Sequence, residues 1–95
     1  MTEELEVVDP QERFQDFFKT EKYRQRLSQM AVGGKTSLTV DFDDLLTFDQ
    51  RIAEELLEKP EYLKHANNAA YTQLQIEDPE YAEKTAAIDV RIVRL

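Results

Sequence analysis

Three places in the sequence carry residue types whose spacing could support chemistry. Gly33-Gly34-Lys35-Thr36 has the ending of a phosphate-cradling loop, in which backbone amides and a lysine hold a nucleotide. The first glycine of that motif belongs at position 29, where Gln29 stands. The order of elements is also reversed: helical spacing precedes the segment and strand-like alternation follows it. These residues are read as a helix stop and a loop. Asp41, Asp43 and Asp44 cluster three carboxylates, the donor chemistry of a calcium or magnesium site. An EF-hand loop needs a donor at its fifth position and glycine at its sixth, and counting from Asp41 these are Leu45 and Leu46. The cluster is therefore read as a strand-to-helix turn in which Asp43 or Asp44 caps the helix. His65, the only histidine, has Tyr62, Lys64 and Asn68 around it and no nucleophile or orienting partner at a plausible spacing. It is read as a solvent-facing helix residue. No catalytic, cofactor-binding or metal-ligating residue is assigned.

Charge is distributed more informatively. Lys19 to Lys35 holds five cations against Glu21, a local +4. Asp41 to Glu61 holds eight carboxylates against Arg51 and Lys59, a local −6. Lys22 and Arg26 fall on one flank of an apolar stripe and Arg24 on the other. These three are the candidate site: either ordinary flanks that pair with the acidic helices, or a weak DNA or intersubunit contact.

The elements that must position these residues are short. Asp9-Pro10 opens a helix with a cap and a first-position proline, and Glu12 sits where a capping-box carboxylate reaches back. Phe14, Phe17 and Phe18 follow at helical spacing. The stripe then skips to Tyr23, which predicts a break near Lys19-Thr20 and a second helix capped by Thr20. Tyr23, Leu27, Met30 and Ala31 form its apolar face, and Gly33-Gly34 ends it. Ser37 to Phe42 alternates polar and apolar, the clearest strand. A turn of helix carries Leu45 and Leu46. Asp49 caps the next helix, with Phe48 placed to staple onto Ala53; its stripe is Ile52, Ala53, Leu56 and Leu57, and Lys59-Pro60 stops it. Leu63, Ala66, Ala70 and Leu74 give the following helix a narrow face, and Asp78-Pro79 opens a last short one. Ile88 to Ile92 alternates again, while Val93 and Leu95 fall on the other face.

Two lone strands are unstable unless they meet. The expected fold is therefore mainly α, a bundle of four to five short helices with one minimal two-stranded pairing of Leu38–Phe42 with Ile88–Ile92. The direction of that pairing stays open. Phe14, Phe17, Phe18, Tyr23, Leu27, Ile52, Leu56, Leu57 and Leu63 are the expected common core.

Composition sets outer bounds. The 95 residues fit one small domain, and 12 Lys+Arg against 20 Asp+Glu give a net charge of −8. That balance argues against a nucleic-acid binder over its whole surface. The absence of cysteine excludes disulfide scaffolds, thiol nucleophiles and Cys-based zinc sites. Apolar runs never exceed three residues and Met1 to Glu6 is acidic, so neither a membrane span nor a signal peptide is expected. A soluble, cytoplasmic domain is the expectation. The apolar end of the sequence is read as a place where the natural chain continues.

With these landmarks set, the sequence resembles the N-terminal A subdomain of the archaeal minichromosome maintenance (MCM) replicative helicases. The likeness runs through Phe14-Gln15-Asp16-Phe17-Phe18 and Tyr23, then Ser37-Leu38-Thr39-Val40-Asp41-Phe42-Asp43-Asp44-Leu45. Phe48-Asp49, Ala53, Leu57, Pro60, Leu63 and Val90-Arg91-Ile92 complete it over nearly all of residues 1–95. Gln50 stands where the family often has proline, and Ile76 to Ala87 looks longer than usual.

The resemblance implies a noncatalytic, regulatory helical subdomain at the edge of a homohexameric ring. It would pack on the OB-fold subdomain of the same chain and on neighbouring subunits, with weak or indirect DNA contact and no membrane. ATP, magnesium and zinc would belong to parts of the parent helicase beyond this chain. The competing reading is a stand-alone acidic helical interaction domain or adaptor. A small hydrolase built on the Asp cluster ranks third.

Overall fold

The computed structural model describes residues 9–94. The acidic opening Met1–Glu6 and the placement of Leu95 lie outside the described residues. Helix α1 (Pro10–Phe18) starts where the sequence indicates, with the Asp9 carboxylate accepting from the Gln11 amide at 3.0 Å. It breaks at Thr20, whose hydroxyl donates to the Phe17 carbonyl at 2.7 Å. Thr20 thus holds the N-cap position of α2 (Glu21–Val32) but makes no side-chain bond to a helix amide. At the far end Gly34 turns left-handed, with φ of 68°. The Lys35 amide then returns to the Met30 carbonyl and the Gly34 amide to Ala31, both at 3.0 Å, a Schellman closure.

Strand β1 (Ser37–Asp41) runs straight into α3 (Phe42–Phe48). Asp49 separates α3 from α4 (Gln50–Glu58) and caps α4 by accepting from the Arg51 and Ile52 amides at 3.1 and 3.3 Å. A single 3-10 turn, Pro60–Tyr62, leads into α5 (Leu63–Glu77). Asp78 caps α6 (Pro79–Lys84) through the Tyr81 amide, and the described chain closes with β2 (Asp89–Val93). The mainly α fold with one strand pair stands, and the α-helices among the described residues number six. The strands pair in parallel, Leu38 opposite Val90 and Val40 opposite Ile92. Four helices form the crossover that parallel pairing requires.

One core joins all of this. Phe14, Phe17, Phe18, Tyr23 and Leu27 meet Ala66, Ala69, Ala70 and Leu74, because the small residues of α5 let α1 approach closely. Leu38, Val40, Ile88 and Val90 close the core beneath the sheet. Two members of the expected core differ. Leu57 is 56% exposed while its neighbour Leu56 is 8% exposed. Consecutive helix residues lie about 100° apart, so the arc already filled by Ile52, Ala53 and Leu56 leaves Leu57 at its border. Leu63 is half-buried and packs against the core from its edge. The turn of helix expected to carry Leu45 and Leu46 is α3, which buries Leu45 and leaves Leu46 exposed.

Both edges of the small sheet are closed by side chains. On β1 the Tyr23 hydroxyl accepts from the Asp41 amide at 3.1 Å, and Arg26 donates to the Thr39 carbonyl at 2.9 Å. On β2 the Asn67 side-chain carbonyl accepts from the Val90 amide at 2.8 Å. Side chains thus take the place of a third strand, which blunts edge-to-edge pairing.

Candidate functional site

The basic residues of α2 join a set of ion pairs and hydrogen bonds. The Lys22 ammonium lies 2.6 Å from Asp44 and 3.4 Å from Asp41. Arg26 reaches Asp41 at 3.3 Å and stacks its guanidinium over the Tyr23 ring, 5.1 Å from its centroid. Tyr23 ties the group together, donating to the Asp44 carboxylate at 2.8 Å while it accepts from the Asp41 amide. Arg24, on the other flank, makes a forked contact with Glu77 at 3.0 and 3.4 Å. Glu77 is held in turn by the amide of buried Gln73 at 2.9 Å. Each of the three candidate residues therefore meets a carboxylate of its own chain.

These contacts set the protonation behaviour. The Lys22 ammonium beside Asp44 holds that carboxyl below its ordinary range, helped by the Tyr23 hydroxyl. Asp44 in turn raises the Lys22 ammonium above its ordinary value. Burial pushes the Tyr23 phenol up, so it stays a neutral donor.

The role expected for Asp43 or Asp44 is corrected here. Position 41, not 43 or 44, precedes the first helical residue, and Asp41 makes no side-chain cap bond. Asp44 lies one turn further along, where its carboxylate is drawn onto Lys22 and Tyr23 of α2 instead. Asp43 is exposed. Among the described residues no three His, Asp or Glu side chains converge as metal ligands. Gly33-Gly34-Lys35-Thr36 joins α2 to β1, the reverse of a phosphate loop's strand-to-helix order. His65 is half-buried, its ring edge-on to Tyr62 at 5.3 Å, rather than freely solvent-facing. The 3-10 turn brings Tyr62 within reach.

A second surface escapes the sequence reading. An apolar groove of about 270 Å³ is lined by Phe42, Leu56, Leu57, Pro60, Leu63 and Ile92. Arg94, which packs over the Phe42 ring at 5.0 Å, stands at its rim. Leu57 and Ile92 belong to elements 35 residues apart in numbering (92 − 57), so only the tertiary fold brings them together. The available signal was Leu57 itself, read as part of the buried stripe although it falls at the border of the arc that Ile52, Ala53 and Leu56 already fill.

Comparison with known proteins decides the family. A profile of the MCM N-terminal domain matches residues 11–94. The chain belongs to the MCM N-terminal domain family. It is also similar to the minichromosome maintenance protein MCM of Saccharolobus solfataricus (strain ATCC 35092 / DSM 1617 / JCM 11322 / P2), 30% identical over 73 residues. That alignment takes in 76% of this chain and 11% of the relative, so the chain spans only a small part of that protein's length. The matched MCM N-terminal region contains both surfaces described above: the paired cations of α2 and the apolar groove.

Proposed function

We propose that this chain is the noncatalytic N-terminal subdomain of an ATP-dependent replicative DNA helicase. In this reading it packs on the OB-fold subdomain of the same protein within a homohexameric ring and modulates how the ring engages DNA. The observation that carries it is the MCM N-terminal match over residues 11–94. The apolar groove supports the packing role. Apolar side chains such as Leu57 gain by leaving water, and β2 delivers the chain to the groove's rim. Nucleotide, magnesium and zinc chemistry would reside elsewhere in the parent, whose setting would be cytoplasmic and DNA-associated. No helix among the described residues is long and apolar enough to cross a membrane.

Lys22, Arg24 and Arg26 are the contact residues of this reading, for DNA or a neighbouring subunit. By itself the chain should bind single-stranded or forked DNA no tighter than about 10 μM at physiological salt, in the nonspecific range. The test uses the full-length natural protein with and without residues 1–94, read by ATP hydrolysis, DNA binding and strand unwinding. Deletion should preserve ATP hydrolysis and change DNA engagement, and Leu57→Asp in the full-length protein should reproduce the part due to packing. Unchanged DNA binding and unwinding after the deletion would overturn the reading.

A further inference from the structure

We propose that Lys22, Arg24 and Arg26 form a self-masked phosphate-contacting surface, with Asp41, Asp44 and Glu77 standing where the phosphates of a polyanion would bind. This deepens, and rests on, the contact role proposed above for the same three residues, and its test does not depend on the helicase assignment. The three cations belong to a single helix, Lys22 and Arg26 on one flank of its exposed crest and Arg24 on the other, whereas the three carboxylates arrive from β1, α3 and α5. Sequence proximity therefore does not explain the pairing. Two of the carboxylates are fixed by a further donor: Tyr23 holds Asp44 and Gln73 holds Glu77. The acids are also the more sheltered partners. Side chains of Asp41 and Glu77 are 20% and 30% exposed, those of Lys22 and Arg24 50% and 54%. Anchored anions thus sit beneath more exposed cations, and the local charge sums to zero (+3 − 3) instead of +3.

Masking of this kind can be reversed. Exposed ion pairs contribute little each, and an ammonium or guanidinium keeps donors beyond those its first partner uses. What a phosphate backbone meets here is a neutral surface on a chain of net charge −8. Removing the three carboxylate charges should leave uncompensated cations on both flanks of the same helix without moving a cation.

The test is fluorescence anisotropy of a labelled single-stranded oligothymidylate with the 95-residue chain across a salt series. The variant D41N/D44N/E77Q should bind at least roughly tenfold tighter than wild type at low salt. Its logarithmic salt slope should steepen by about 2, since each phosphate neutralised on a single strand contributes about 0.7. The control E58Q/E61Q/E83Q removes the same net charge away from α2 and should stay within about twofold of wild type, given how salt screens distant charges. Adding K22E and R24E to the neutralised variant should return binding to the wild-type level. Glu77→Gln alone, at the exposed end of α5, should already give part of the gain, which keeps the test decisive if the triple variant loses its fold. The proposal is overturned if the neutralised variant binds no better than the control, or if the gain survives the charge reversals.

Discussion

The α2 face and the apolar groove differ in what they leave unsatisfied. On α2 the three cations of the candidate site each find a carboxylate, and Tyr23 and Gln73 fix the partners. In the groove Leu57 stays more than half exposed beside Ile92 and Pro60, with no side chain of the described residues closing over it. The three cations of the α2 face are paired within the chain, and the apolar surface of the groove is left uncovered. Ion pairs on an exposed face cost little to make or break, whereas uncovered apolar area favours a partner in proportion to its size. Of the two surfaces, the groove is the one whose covering would gain from burial, whereas anything binding the α2 face would have to compete with its ion pairs.

The largest perturbation should come from the floor beneath the charged face. Phe17 packs against Tyr23 at 4.5 Å and Phe48 at 5.3 Å, ring centroid to centroid, and is 2% exposed. Phe17→Ala should cost about 3–5 kcal/mol in denaturant unfolding, the range for truncating a buried aromatic. A loss below about 1 kcal/mol would mean that the network does not depend on its apolar floor. Tyr23→Phe cuts the network itself and leaves the Asp41 amide and the Asp44 carboxylate each short of one bond. A loss of roughly 1–3 kcal/mol is expected, as for stranding a buried polar group. Amide exchange at Asp41 should accelerate in the same variant, and unchanged protection there would separate the hydroxyl from the strand edge.

The ion pair predicts a pH dependence of definite sign. Asp44 has a lower pKa folded than unfolded, so its contribution is present above its ordinary value of 3.8 and fades as pH falls through the folded value. Acid unfolding of wild type should therefore be steeper below about pH 4 than that of Asp44→Asn. Parallel acid limbs in the two proteins would remove Asp44 from the linkage. The smallest effect belongs to the groove. Leu57→Ala should change the stability of the chain by no more than about 0.5 kcal/mol, as for an exposed site, while Leu56→Ala one residue away should cost about 2 kcal/mol or more. Equal losses would return Leu57 to the core and erase the contrast between the two surfaces.

Much of the architecture was legible because its signals are local. Asp9-Pro10, Asp49 and Asp78-Pro79 start helices through bonds to amides two or three residues away, so position alone announces them. The aromatic spacing of Phe14, Phe17 and Phe18 and the alternation from Ser37 to Asp41 mark buried faces in the same way. The paired glycines ended α2 where a left-handed residue was needed. Asp44 misled, because a carboxylate in a first helical turn satisfies the local rule for a cap while a lysine and a tyrosine from another helix compete for it.

The sequence by itself determined the elements, their order and the helical character of the domain, since hydrophobic period and capping act over a few residues. Only the tertiary structure decided that the strands run parallel, that Arg24 meets Glu77, and that Leu57 shares a groove with Ile92. Each of these depends on how helices pack across dozens of intervening residues. A side chain carries the tendency to pair or to leave water, but the neighbours that satisfy it are chosen by the geometry of the whole core.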